Sequence, residues 1–273
     1  MKKLIAILLT LTMLVPFAAL ADGSLQAILD KGELVFGFDP GFPPMGFTDA
    51  DGEYIGFDLD VAYAVCDILG VDLVLQPIDW DAKEMELNSG NIDCIWNGFT
   101  ITPAREEVIS FSFPYMANEQ VLVVLADSEY VTLADLAGAS LGVQAGSSAV
   151  DALNNAAEFK ASLGDVAEFD MNTTLLMDLA QGGVDVALLD VIVAGYYMST
   201  EDVSFRILEE ALAPELFGVG FRKADLELTE AVNQALVELA FNGVLEEIST
   251  DWFTTDITII AEYVAMSEER PAQ

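Results

Sequence analysis

The sequence predicts an α/β protein built from two lobes. Strand-like and helix-like segments alternate along the chain in two series, the second series starts near residue 120, and no segment rich in proline, glycine or serine separates them. Alternating strands and helices imply a mostly parallel sheet covered by helices. With 273 residues and 53% apolar composition, the chain has ample material for a core.

The first series of elements lies between residues 24 and 96. Ser24 can cap a short helix that ends at Gly32, and the segment ELVFGF at 33–38 is typical of a strand. The later segments predict a β-hairpin with Asp51-Gly52 at its tip, helices at 58–70 and 82–90, and strands at 71–78 and 92–96. This order of strands and helices favours parallel pairing.

The second series is followed by a closing section that ends in helices. The series predicts strands at 120–126, 139–146, 166–170 and 184–189, and helices at 147–159, 173–183 and 190–199. The closing section predicts a strand at 217–222 and helices at 225–241 and 243–252. Because strands and helices alternate in both series, we expect two α/β lobes.

The N-terminus has the parts of a secretory signal peptide. Lys2 and Lys3 precede an apolar stretch at 4–14, and Ala19 and Ala21 form the A-x-A pattern of a cleavage site. We therefore expect cleavage after this pattern and export of the mature chain.

The residue after the predicted cleavage site bears on membrane attachment. A lipid-anchored protein would carry cysteine at this position, which holds Asp22. No later segment offers the roughly 20 continuous apolar residues that a transmembrane helix needs. We therefore expect a soluble, exported protein that is not lipidated at this end.

The mature chain is strongly acidic. Without the two lysines of the leader it keeps 8 basic and 46 acidic residues, a net charge of −38. Nucleic acids and anionic lipids bind clustered lysine and arginine, so neither is an expected partner. The acidity indicates a solvated surface and does not identify a ligand.

The residues needed for several kinds of chemistry are absent from the sequence. The chain has no histidine, which leaves no material for histidine-based zinc sites, triads or acid–base mechanisms. Neither G-x-G-x-x-G nor G-x-x-x-x-G-K-[ST] follows any predicted strand. The acidic turn at 48–58 lacks the glycine and glutamate that an EF-hand requires. We therefore predict no metal and no cofactor.

Two cysteines, Cys66 and Cys94, occur in the sequence and do not form a C-x-x-C pair. In an exported protein they could form a disulfide. Cys66 falls in an apolar helix pattern and Cys94 in a strand-like segment, which favours two buried free thiols.

Several motifs, taken in order, resemble those of a known family. They are GELVFGFDPGFPPMGF at 32–47, GFDLDVAYAV at 56–65, GFTITPAREEVISFSFPY at 98–115, GVQAGSSAVDAL at 142–153, GGVDVALLD at 182–190 and DWF at 251–253. The T-x-T-x-x-R element followed by F-S-x-P-Y is the most specific part. Through these motifs the chain resembles the extracytoplasmic amino-acid-binding proteins of ABC importers, solute-binding protein family 3, which have the type II periplasmic-binding-protein fold.

The resemblance implies two doubly wound α/β lobes that are joined by two hinge strands and close on a ligand in the cleft between them. Mapped onto this chain, the divisions are a signal peptide at 1–21, a discontinuous first lobe at 22–114 plus 218–265, a second lobe at 120–212, hinges at 115–119 and 213–217, and a tail at 266–273.

The resemblance also implies which residues bind the backbone of an amino acid. Arg105 stands where the family's arginine binds the α-carboxylate, and its planar guanidinium fits a carboxylate with two hydrogen bonds. The alternative for Arg105 is a surface ion pair with Glu106 or Glu107. Asp190 matches the carboxylate that binds the α-ammonium, and it could also cap the following helix. The further residues implied near the ligand carboxylate are Gly98, Thr100, Ser147 and Ser148, with the serines at a helix N-terminus.

The remaining implied residues would surround the ligand side chain. Phe42 and Trp80 match the aromatic residues that sandwich it, although either alone is more typical of a core. Asp39 lies at the mouth of the first strand, where some relatives contact side-chain nitrogen, and Asn97 is included because of its neighbours alone. Gln144 stands where several relatives have a basic residue.

These residues predict a monomeric solute-binding subunit, not an enzyme, that captures a polar or basic L-amino acid and delivers it to the permease subunits of an ABC transporter. The zwitterionic backbone of the ligand would match Arg105 and Asp190, so we expect no positive charge to remain for a side-chain carboxylate. Asp39 would repel such a carboxylate, and we therefore expect aspartate and glutamate to be rejected. Two alternatives are an exported enzyme on the same fold, similar to the related dehydratases, and a ligand-sensing domain. The enzyme would replace an amino-acid anchor with an acid catalyst, and the sensor would need a membrane span or signalling domain.

Overall fold

The computed structural model describes residues 22–200 and 204–268 of the chain. Two open sheets with surrounding helices make up most of this part, which confirms the predicted α/β class. The predicted signal peptide at 1–21 and the end of the predicted tail at 269–273 lie outside the described residues. Within the described residues, no helix is both long and apolar enough to cross a membrane.

The first lobe is the part of the chain that surrounds a five-stranded sheet. Its strands are β1 (Glu33–Phe38), β5 (Asp72–Pro77), β6 (Cys94–Ile95), β7 (Ile109–Phe111) and β14 (Gly220–Arg222), in the order β5-β1-β6-β14-β7. Its helices are α1 (Ser24–Lys31), α2 (Phe57–Leu69), α3 (Lys83–Ser89), α4 (Pro103–Val108), α9 (Leu226–Asn242), α10 (Val244–Phe253) and α11 (Ile260–Glu268). β1 pairs in parallel with β5 and β6, whereas β14 is antiparallel to β6 and β7.

A small antiparallel sheet extends the first lobe toward the second. It consists of β2 (Gly41–Phe42), β3 (Gly46–Thr48) and β4 (Tyr54–Ile55). β3 and β4 form a hairpin with Thr48 paired to Tyr54, which confirms the turn predicted at Asp51-Gly52.

The second lobe surrounds a six-stranded sheet. Its strands are β8 (Met116–Leu125), β9 (Ser140–Gln144), β10 (Asp165–Phe169), β11 (Val186–Asp190), β12 (Phe205–Ile207) and β13 (Ala213–Phe217), and its helices are α5 (Ser148–Asn155), α6 (Ala157–Ser162), α7 (Asn172–Gln181) and α8 (Val191–Thr200). β9 is parallel to β10 and β11, while β8 runs antiparallel to β11, β12 and β13. Two short 3-10 helices complete the described elements, Trp80–Ala82 and Leu133–Leu136.

The core lies against the helix-facing sides of both sheets and continues between the lobes. Phe36 and Phe38 of β1 are fully buried in the same apolar cluster as Leu189 of β11. Cys66 and Cys94 are buried free thiols, as predicted. Burial raises the pKa of Cys66 to about 12, so this thiol stays protonated near neutral pH.

The structure differs from the sequence prediction at several boundaries. The single helix predicted at 147–159 is broken at Ala156, whose φ and ψ of −87° and 54° are not helical. The strand predicted at 217–222 is two strands in different sheets, because the chain passes from β13 to β14 at Gly218. A side chain at Gly218 would collide with Ile101, 2.9 Å from the position of a Cβ. The sequence patterns also did not predict α4, α11, β7 or β12.

Candidate functional site

The predicted site residues lie where the two lobes face each other. In the first lobe they follow the carboxyl ends of β1 and β6, and in the second they end or follow β9 and β11. Such strand ends are where α/β proteins commonly bind small ligands. The lobes are joined here by hydrogen bonds that pair Asp39 with Gln144, Lys83 with Gly146, Arg105 with Gly146, and Thr100 with Ser148.

Arg105 lies on the first turn of α4. This helix begins with Pro103, and its N-cap residue is Thr102, whose hydroxyl accepts a hydrogen bond from the Arg105 backbone N–H at 3.2 Å. Only 7% of Arg105 is exposed. Its Nη1 donates to the carbonyl of Thr100 at 2.9 Å, and its Nη2 donates to the carbonyl of Gly146 at 3.3 Å. The helix start therefore directs the guanidinium into the space between the lobes.

The guanidinium of Arg105 has no carboxylate partner among the described residues. The ion pairs within these residues all involve Lys31 or Arg222. The alternative of a surface pair with a neighbouring glutamate is therefore wrong. The Cζ atom lies 4.6 Å from the centre of the Phe99 ring. Burial lowers the pKa of Arg105, but a guanidinium stays charged in proteins. A buried cation that is supported by carbonyl dipoles favours an anion beside it.

Lys83 is a second buried cation at this site and was not predicted. It is 4% exposed, and its Nζ donates to the carbonyls of Trp80 at 3.0 Å and Gly146 at 2.8 Å. Burial, followed by the charge of Arg105, lowers its pKa to about 8. The expectation of no positive charge besides Arg105 is therefore wrong. A lysine at the start of a helix in an acidic segment usually lies in solvent. The one sequence signal that could have identified Lys83 as a site residue is the scarcity of basic residues, 10 in the whole chain.

Asp190 and Glu215 form a carboxylate pair on the other side of Thr100. Asp190 is the last residue of β11 and is 5% exposed. It accepts hydrogen bonds from Asn118 Nδ2 at 2.6 Å and Gln120 Nε2 at 2.9 Å. Glu215 accepts from the same two nitrogens at 3.0 and 2.9 Å, and from the Thr100 hydroxyl at 3.0 Å. Burial and the charge of Glu215 raise the pKa of Asp190 well above its usual range.

The structure brings the two serines to the start of α5, as predicted. Ser147 is the N-cap residue, and its hydroxyl donates to the carbonyl of Gln144 at 2.7 Å. The Ser148 hydroxyl donates to the Thr100 hydroxyl oxygen at 3.1 Å. Thr100 therefore contacts three groups of the site, because its carbonyl also accepts from Arg105.

A second cluster of polar residues surrounds Asp39. This residue is 2% exposed and accepts hydrogen bonds from the Gly41 backbone at 2.8 Å and from Gln144 Nε2 at 2.6 Å. Asn97 Oδ1 accepts from the Asp39 backbone at 3.1 Å, and Asn172 donates to Gln144 Oε1 at 2.9 Å. Burial raises the pKa of Asp39. Asn97 thus positions Asp39, and Gln144 links it to the second lobe.

A cavity of about 410 Å³ adjoins Asp39. Four aspartates line it, together with Trp80 and other residues of both lobes: Asp39, Asp79, Asp81 and Asp170. This end of the cleft therefore has a negative potential, which favours a positive or hydrogen-bond-donating group.

The predicted aromatic residues are both packed in the first lobe. Phe42 is 5% exposed and abuts Gly98, where a Cβ would lie 2.6 Å from the Phe42 ring. Gly98 has a φ of 56°, and its N–H donates to Asp58 at 2.7 Å. Trp80 is 8% exposed and packs edge-on against Phe99, with ring centres 5.8 Å apart. Their contact with a ligand side chain stays a prediction.

The arrangement of buried charges can be compared with known proteins. Residues 34–255 match the profile of the bacterial extracellular solute-binding proteins, family 3. The chain belongs to this family. Its type II periplasmic-binding-protein fold, inferred from the motifs, is confirmed by solved structures of similar proteins.

Three members illustrate the similarity. The L-cystine-binding protein TcyJ of Escherichia coli strain K12 is 30% identical over 239 residues, which cover 87% of this chain and 88% of TcyJ. The arginine-binding extracellular protein ArtP of Bacillus subtilis strain 168 is 32% identical over 260 residues, 93% and 99% of the two chains. A crystal structure of an ABC uptake transporter substrate-binding protein from Streptococcus pneumoniae, with bound histidine, has a TM-score of 0.84 and 38% identity over 87% and 98%.

Among the residues that the structure describes, no group of three or more cysteine, aspartate or glutamate side chains is arranged to hold a metal ion. The site thus consists of buried charges, amides and hydroxyls at the interface of the lobes.

Proposed function

We propose that the protein is the extracytoplasmic solute-binding subunit of an ABC transporter, which captures a polar or basic L-amino acid between its lobes. Export through the predicted signal peptide at 1–21 would place the monomeric protein outside the cytoplasm, where it delivers the ligand to the permease. In this role it binds its ligand without converting it.

One observation carries this proposal. Within the described residues, the buried Arg105 forms no ion pair with a carboxylate, and the buried Asp190 and half-buried Glu215 form none with a cation; these groups lie on two sides of Thr100. The carbonyl of Thr100 accepts from Arg105, and its hydroxyl donates to Glu215. The backbone of an amino acid carries one carboxylate and one ammonium a few ångströms apart. Such a zwitterion would neutralise both ends of the site at once.

The aspartates that line the cavity beside Trp80 favour a ligand with a basic or polar side chain. A ligand with its carboxylate at Arg105 would extend its side chain toward Asp39 and the cavity beside it. A guanidinium or ammonium group there would be attracted by Asp79, Asp81 and Asp170. The relatives named above as binding arginine and histidine are in keeping with this ligand class.

We further propose that residues 115–119 and 213–217 form the hinge between lobes at 22–114 plus 218–265 and at 120–212. Within these segments β8 and β13 pair side by side, with Met116 opposite Phe217. The hydrogen bonds from Arg105 and Lys83 to Gly146 would form only when the lobes approach. Ligand would therefore favour the closed form.

A thermal-shift screen against the twenty amino acids, followed by calorimetry, tests the proposal. We expect a polar or basic L-amino acid to raise the melting temperature, because it binds the folded protein alone. Small-angle scattering should show a smaller radius of gyration with that ligand than without it. Nuclear magnetic resonance of the ligand during incubation tests for turnover. Steady consumption would favour the enzyme alternative, and the absence of any binding amino acid would refute the proposal.

A further inference from the structure

Glu215 is a carboxylate of the site that the family resemblance does not supply. It lies on β13, directly opposite Asn118 of β8 in the antiparallel register. Its Oε2 accepts from Asn118 and Gln120, and the same two amide nitrogens donate to Asp190. Glu215 and Asp190 are therefore within reach of any group that lies beside these amides.

Neither carboxylate of the pair forms an ion pair with a lysine or arginine of the described residues, although their charges act on Arg105 from a longer distance. The ion pairs there all involve Lys31 or Arg222. Two carboxylates that share the same amide donors disfavour each other's ionised form unless a cation joins them. Burial is the largest cause of the raised pKa of Asp190, and the charge of Glu215 is the second.

The amides that hold the pair also have acceptors without donors. Oδ1 of Asn118 and Oε1 of Gln120 accept no hydrogen bond from any described residue, although these side chains are 3% and 0% exposed. Their N–H groups have already donated to the carboxylates. Glu215 also lines a cavity of about 450 Å³ with Thr100 and Ser148. The carboxylates lack a positive partner, and the amide oxygens lack N–H donors. An ammonium group would supply both, because it carries a positive charge and three N–H donors.

We propose that Glu215 is a specificity-determining residue, a second carboxylate that binds the α-ammonium of the ligand together with Asp190. This rests on the proposed function. A ligand without an amino group would leave the two carboxylates facing each other with no cation between them. The pair therefore selects ligands with a free amino group over their des-amino analogues.

The test compares Glu215→Gln with the wild-type protein on two kinds of probe. The probes are L-arginine, L-histidine and L-glutamine, each with its des-amino analogue, and affinities are measured by competition calorimetry. The glutamine side chain keeps the length of Glu215 and removes its charge. The control is Glu168→Gln, which makes the same change at an exposed position of β10 in the second lobe. Circular dichroism and thermal unfolding verify that each variant is folded.

We expect Glu215→Gln to weaken binding of the amino acid about tenfold or more, while binding of the des-amino analogue is unchanged or improves. Glu168→Gln should alter neither affinity. An equal loss for both kinds of probe would mean that Glu215 only positions Thr100 and the amides, and it would overturn the inference while the proposed function stands. A wild-type protein that binds none of the twenty amino acids, these three included, would overturn the proposed function, and the inference with it.

Discussion

The two ends of the site on either side of Thr100 carry opposite charges. The positive end is Arg105 with Lys83, the negative end is Asp190 with Glu215, and different parts of the chain support them. Arg105 and Lys83 extend from helices of the first lobe and donate to backbone carbonyls. Asp190 and Glu215 accept from side-chain amides on β8. Backbone carbonyls remain whatever residue is substituted, whereas the amides are lost with their side chains. The comparison indicates that the positive end depends on the cations themselves, and the negative end on the side chains around it.

The largest expected effect is at the positive end. Arg105→Ala should abolish binding of the amino acid, because a ligand carboxylate would then be buried without a partner, at a loss of roughly 3 to 5 kcal/mol. Calorimetry measures the loss. A suitable control is Arg206→Ala, which removes an arginine that donates to carbonyls of the second lobe away from the cleft. Binding by Arg105→Ala within tenfold of wild type would remove Arg105 from the site.

The second prediction concerns the charge of the ligand side chain. Aspartate and glutamate should be rejected, because Asp39 and the aspartates beside it would repel a second carboxylate. Lys83 does not reverse this expectation, since its ammonium already donates to two carbonyls. Competition calorimetry should rank glutamine, cystine, lysine or arginine above both acids. If glutamate or aspartate binds more tightly than all four, the assignment of the pocket is wrong.

Asp39→Asn sharpens this prediction. Removal of the charge should weaken binding of arginine about tenfold and change that of glutamine much less, because an amide still hydrogen-bonds a neutral side chain. Asp67→Asn serves as the control, since Asp67 is exposed on α2 and does not line the cavity. Equal losses for arginine and glutamine would indicate that Asp39 only holds Gln144 and Gly41 in place.

At each of the two ends the sequence predicts one charged residue and misses the other, since Asp190 was assigned from its motif as Arg105 was. Arg105 was found because it belongs to an ordered motif, T-x-T-x-x-R, with a recognisable chemistry. Glu215 was not found, because its role depends on the pairing of β13 with β8, which brings it opposite Asn118 from 97 positions away. No local pattern encodes that register. Lys83 was missed because one of its two carbonyl partners, Gly146, belongs to the second lobe and is far from it in the sequence.

The fold was more predictable than the site. Strand and helix order follows from apolar periodicity and from glycine stops such as Gly70, which ends α2 with a φ of 72°. The break between α5 and α6 has no glycine or proline to mark it, because it falls at Ala156. Short strands such as β12, with three residues, are set by pairing with neighbours and not by their own pattern.

A smaller effect is expected from the second cation. Lys83→Met keeps the apolar stem of the side chain and removes its hydrogen bond to Gly146, so the closed form should be less stable and ligand affinity about tenfold lower. The matched control is Lys160→Met, in which an exposed lysine of the second lobe loses a single hydrogen bond, to Asn154. Calorimetry gives the affinities, and small-angle scattering gives the degree of closure. An unchanged affinity would show that Lys83 is needed only for packing under Trp80.

The smallest expected effect concerns the stability of the protein and a buried carboxylate outside the site, Asp58. Asp190 faces the site, whereas Asp58 lies behind it, where it accepts from Gly98 N–H at 2.7 Å and from the Tyr115 hydroxyl at 2.9 Å. Burial raises the pKa of Asp58 from 3.8 to about 7. The folded state therefore holds this proton more tightly than the unfolded state does. The contribution to stability is fully present below the unfolded pKa and is lost as the pH rises through the folded value.

Asp58→Asn should remove this dependence, because the amide resembles the protonated acid and can keep its oxygen toward Gly98 and Tyr115. Urea unfolding of the protein without added amino acid, followed by circular dichroism between about pH 4 and about pH 8, measures the free energy of unfolding. The stability of Asp58→Asn relative to wild type should rise with pH over that interval. Asp67→Asn, an exposed change on the same helix, should show no such trend. A pH-independent difference for Asp58→Asn would mean that the carboxylate is already ionised in the folded protein, and that Gly98 and Tyr115 stabilise its charge.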